Sequence, residues 1–213
     1  MKKFELTSET KINIFGKKLF RIKALISFGD VEAGETGGWV EKEGNVNQSG
    51  DAWVSGNAEV SGNAMVSGNA EVYGNARVSG NAWVSGNAMV SGNAMVSGNA
   101  WVSGNAMVSG NAMVSGNAEV SGNAMVSGNA EVYGNAEVSG NADYTTIRGF
   151  GTQFRTTTFF RCKDKQVKVS CGCFYGTIPE FREQVKNIRK GKIAEEYLMI
   201  ADLMEKHFAE EAK

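Results

Sequence analysis

From Asp51 to Gly140 one six-residue phrase, Asn-Ala-x-Val-Ser-Gly, recurs fifteen times without insertion or deletion. Outside the variable position x, only Asp51 in place of the first Asn, and Tyr73 and Tyr133 in place of Ser, depart from it. One such unit is too short to bury its own apolar side chains, so the units must stack on one another as a solenoid. In the unit Asn105–Gly110, Ala106 and Val108 lie two residues apart and point to one side of an extended strand. Met107 and Ser109 point to the other side, and the Gly-Asn pair, best able to adopt left-handed backbone angles, supplies the corner. Strand and corner in alternation predict a triangular coil of three strands, with equivalent positions eighteen residues apart. Fifteen units then make five coils, roughly 24 Å of axis at about 4.8 Å per layer.

The pattern resembles the hexapeptide left-handed β-helix, in which an aliphatic residue is followed four positions later by a small one, as Val108 is by Ala112. The resemblance covers the whole 51–140 run. Gly numbers 27 and Pro only 1, so the glycine follows the period and does not mark a disordered Pro/Gly linker. The expected fold is mainly β, a left-handed parallel β-helix over residues 45–142. An N-terminal β-hairpin cap is expected over 1–44, and a C-terminal β-hairpin plus two-helix module over 143–213.

Position x alone varies, and the alternation turns it to solvent. Reading it every eighteen residues gives three faces: Trp53, Glu71, Met89, Met107, Met125; Glu59, Arg77, Met95, Met113, Glu131; and Met65, Trp83, Trp101, Glu119, Glu137. The apolar residues form a girdle around the middle coils, with Trp83, Trp101, Met89, Met107, Met95 and Met113 as the candidate binding residues. Contiguous exposed apolar side chains commonly mark an interface. Three readings stay open: packing between neighbouring coils alone, self-association into a dimer or trimer, and a partner surface anchored on the two indoles, since Trp is enriched at hot spots. Ice binding would call for regular Thr rows, where this chain has Ser and Met.

Best known on this helix are acyltransferases, whose resemblance implies a histidine general base and loops that build a coenzyme A pocket. Residues 51–140 contain no His, Cys or Lys and no loop, and a base must reach the proton it removes. Zinc carbonic anhydrases of the same shape need three His ligands, and this chain has 1 His. The alternative to a non-enzymatic scaffold is therefore a transferase with its site in the caps or between subunits, using His207 or a cysteine. No cofactor is expected.

The two ends differ from the repeat. Residues 11–28 read as a hairpin turning at Gly16, with Phe20, Ile22 and Ala24 alternating with Arg21 and Lys23. An open solenoid end exposes unpaired backbone groups and requires such a cap. The stretch Phe28-Gly29-Asp30-Val31-Glu32-Ala33-Gly34, with Gly37-Gly38-Trp39-Val40 and Gly50-Asp51-Ala52-Trp53-Val54, resembles the N-terminal region of the YdcK-like hexapeptide-repeat proteins. That family, with shorter forms in bacteriophages and prophages, has no firmly assigned activity. The resemblance implies a phage or prophage accessory protein that interferes with a host process or defence system by sequestering a host protein or a small nucleotide. The glycines around Gly34 lack the strand-loop-helix setting of a phosphate loop.

After Asp143, Thr156–Cys162 and Val167–Cys173 read as two strands, and helices follow from Pro179 to about Arg189 and beyond Gly191. Ile193, Tyr197, Ile200, Met204 and Phe208 form the apolar face of the second helix. Residues Cys171 to Ile178 with Phe181 and Val185 resemble the C-terminal module of the phage forms. Cys162, Cys171, Cys173 and His207 are four metal-ligating residue types, but their spacing fits no zinc pattern, and the expectation is no metal. The basic run Lys186, Arg189, Lys190 and Lys192 could hold an anion such as a nucleotide.

Net charge is +1 over residues 1–44, −5 over 45–142 and +3 over 143–213, so no block is basic enough for duplex nucleic acid. Lys2 and Lys3 precede Phe4-Glu5-Leu6 where a signal peptide would have an apolar segment, and no membrane-spanning run occurs. A cytoplasmic protein is expected, in the host cytosol if phage-encoded.

Overall fold

The computed structural model describes residues 2–209. Its first three strands are β1 (Phe4–Ile12), β2 (Lys18–Ala24) and β3 (Thr36–Val40). Fifteen two-residue strands follow, β4 (Trp53–Val54) to β18 (Glu137–Val138), each made of one x residue and its Val. Parallel pairing joins residues eighteen apart, such as Met89 with Met107 and Val90 with Val108, and sorts the short strands into three sheets. The chain is a β-solenoid with eighteen-residue coils, as the repeat predicts. Every Val and Ala of the run is buried, and these small side chains fill the narrow interior.

Three inter-coil backbone bonds hold each unit to the next coil, for example from Met89 N, Ser91 N and Asn93 N to Ala106 O, Val108 O and Gly110 O, at 2.7–2.9 Å. At the corners glycine alone takes the left-handed conformation. Gly92 has φ 68°, and a Cβ there would sit 2.9 Å from Gly110 O in the coil above. The neighbouring Asn residues have another task. Their side-chain amides donate to one another along the corners, as in Asn69–Asn87–Asn105–Asn123 at 3.0–3.1 Å, a ladder the repeat generates by identity at a fixed rise.

The solenoid begins before the regular repeat. Trp39 and Val40 pair in parallel with Glu59 and Val60, and Val46 bridges Val66, so residues 39–54 form a further, irregular coil. The predicted hairpin is longer than expected and starts at Phe4. It continues one solenoid sheet edge to edge, β2 pairing antiparallel with β3. In the stack, each coil's carbonyls accept from the coil before, so the first coil needs substitute donors. Lys3 Nζ supplies Gly50 O and Ala52 O at 3.0 and 2.8 Å, while Asn45 Nδ2 of this irregular coil supplies Gly62 O and Ala64 O of the next at 3.2 and 2.8 Å. Lys3 is buried, and this burial pushes its pKa down to about 8.

At the other end, β19 (Tyr144–Phe150), β20 (Arg155–Arg161), β21 (Val167–Cys171) and β22 (Phe174–Thr177) form an antiparallel sheet in chain order. Sequence reasoning found only the middle pair. Helices α1 (Ile178–Ile188) and α2 (Gly191–Phe208) pack on this sheet, with Thr177 capping α1. Adjacent residues of β20 serve opposite sides. Phe160 joins the core of the last coil, and Phe159 joins the core beneath the helices. Glu131 N donating to Thr158 Oγ1 at 3.0 Å and the Ala136–Cys162 bridge fasten the sheet to the solenoid.

Candidate functional site

The x residues do leave the core, but their surroundings differ from face to face. On one face Met65, Trp83 and Trp101 sit on adjacent strands and remain 39%, 42% and 43% exposed. The two indoles are stacked, with centroids 5.4 Å apart and planes within 7°. That geometry follows from the period: identical side chains one coil apart are separated by about one strand spacing, close to the distance at which aromatic rings stack. Trp83 Nε1 donates to Ser67 Oγ at 2.9 Å and Trp101 Nε1 to Ser85 Oγ at 3.2 Å, which pins both rings against the preceding coil. Their outer surfaces stay open, and Glu119 ends the strip on the next strand.

The six girdle residues are thus not one surface. Met89 and Met107 pair on a second face and are half-buried; Met95 and Met113 pair on the third, where Met113 is exposed. Met65 joins the indoles, although the candidate list omitted it. Trp53 corrects the expectation that every x faces solvent. It is buried under Phe4 and Phe28, with ring centroids at 6.1 and 5.4 Å, because the N-terminal segment folds back over it.

The tail residues are not gathered into one site either. Cys162 is buried at the end of the solenoid core, and burial pushes its thiol up to about 11, which makes it a poor nucleophile. Cys171 packs against the separate core of the module, Cys173 is exposed, and His207 lies at the end of α2 against Phe208. Among the described residues no cluster of three metal-ligating side chains occurs. Lys186, Arg189, Lys190 and Lys192 are all exposed, and Lys192 pairs with Glu196 at 3.6 Å. Arg189 lines a cleft together with Arg155, a residue that sequence reasoning did not single out.

The solenoid also has a family signature. The model of the YdcK β-solenoid repeat matches residues 70–86, 82–98, 88–104, 100–116 and 118–134, each window just short of one coil. No curated protein matches the chain. None of the described helices is long and apolar enough to cross a membrane. Stacked eighteen-residue coils and the matching repeats together make this chain a β-solenoid protein with YdcK-type repeats between residues 70 and 134.

Proposed function

We propose that this protein is a non-enzymatic assembly scaffold that associates with further copies of itself through the Met65–Trp83–Trp101 face. One observation carries the reading: two stacked indoles and a methionine, held rigidly by the coils beneath, stay two-fifths exposed on a solenoid run that has no His, Cys or Lys. Rigid aromatic surface loses little entropy when covered, which makes it effective interface material. The strip is smaller than the ~800 Å² per partner of a standard interface, so association is concentration-dependent. The dimer or trimer so formed is the platform for a further partner. In the bacteriophage setting that the resemblance implies, that partner is a host protein or a small nucleotide, and the biological effect is its sequestration. Light scattering on the wild type and a Trp83→Ser/Trp101→Ser variant tests the assembly step.

A further inference from the structure

A cleft in the C-terminal module is independent of the indole face. It lies where the end of β21 meets α1 and α2, and it has two adjoining hollows of about 290 and 150 Å³. Arg155, Cys171, Arg189 and Tyr197 line both. The larger hollow has apolar walls from Phe174, Phe181, Val185 and Ile188, and the smaller is faced by Thr152 and Gln153.

The two guanidinium groups at the junction are not consumed by ion pairs among the described residues. Arg155 Nη2 donates to the neutral amide of Gln153 at 2.5 Å, and Lys192 rather than Arg189 pairs with the nearby Glu196. The Tyr197 hydroxyl donates to Phe150 O at 3.3 Å, and burial holds its pKa above the ordinary phenol range, so it adds no negative charge near neutral pH. Cys171, which lines both hollows, accepts from Thr157 Oγ1 at 3.1 Å. Unpaired planar guanidinium groups favour carboxylate or phosphate oxygens, which they can grip with two parallel hydrogen bonds. The apolar hollow beside them is near the ~300 Å³ lower limit of small-molecule pockets.

We infer that this cleft binds a small amphipathic anion: a carboxylate or phosphate held by Arg155 and Arg189, carrying a ring-sized apolar group that enters the Phe174–Ile188 hollow. The reading moves the anion site away from the three lysines and onto Arg189 together with Arg155. Phenyl phosphate and phenylacetate are the probes, with inorganic phosphate and neutral phenylacetamide as controls, followed by calorimetry and ligand-observed NMR on the full chain. At least one aryl anion binds saturably, and each control binds on the order of tenfold more weakly or not at all. Arg189→Gln and Ile188→Ser, both at exposed positions and so compatible with folding, each weaken the aryl anion, whereas Lys190→Gln and Trp83→Ser/Trp101→Ser do not. No saturable binding of either aryl anion, binding of phenylacetamide as tight as phenylacetate, or equal losses in Arg189→Gln and Lys190→Gln would each overturn the proposal.

Discussion

Glycine and lysine show how single residues set the limits of this solenoid. At Gly92 two requirements coincide, a left-handed backbone and a coil above that leaves no room for a Cβ. Gly92→Ala is expected to cost about 1–3 kcal/mol through backbone strain, with the contact to Gly110 O adding to it. Gly44, with ordinary φ and open space around it, provides the control, and Gly44→Ala should leave the denaturation midpoint unchanged or slightly raised. Lys3 makes a different prediction. Its folded pKa of about 8 lies below the ordinary 10.5, so between those values the unfolded chain holds a proton that the folded chain has released. Stability from this group therefore rises as pH climbs from about 8 to 10.5. Denaturant midpoints of the wild type and Lys3→Met, compared across that window, should diverge in favour of the wild type. Parallel curves would mean that folding does not lower the pKa of Lys3.

Strands and turns reveal why some elements were legible in the sequence and others were not. The coils could be read residue by residue because strand, corner and core position all repeat in phase. Trp53 could not, since its local pattern is that of any x residue and only Phe4 and Phe28, distant in sequence, make it core. The outer strands β19 and β22 escaped for a local reason. Tyr144–Phe150 lies mostly half-exposed without a clean alternation, and Phe174–Thr177 is four residues long with Gly176 inside it. The Arg155–Arg189 cleft was equally hidden, because it forms only where a strand start and a helix end meet across the module. The sheet between solenoid and helices depends on β20 facing both ways. Phe160→Ala, which empties the end of the solenoid core, should cost about 3–5 kcal/mol in a denaturation experiment. A loss below about 1 kcal/mol would show that Phe160 is not an integral part of that core.

For the whole molecule, a stack of near-identical coils separates stability from recognition. Val, Ala, Gly and Asn hold each coil to the next, so the x column can change without altering the scaffold. The chain uses that freedom unevenly, placing two stacked indoles on one face and acidic residues beyond them. The most direct test is multi-angle light scattering over a range of loading concentrations for the wild type and Trp83→Ser/Trp101→Ser, with thermal unfolding to confirm that both are folded. Assembly through the indole face predicts a wild-type mass that climbs towards two or three chains as concentration rises, and a double variant that stays at one chain. A wild type that remains a single chain at every concentration, or a double variant that assembles equally well, would contradict it.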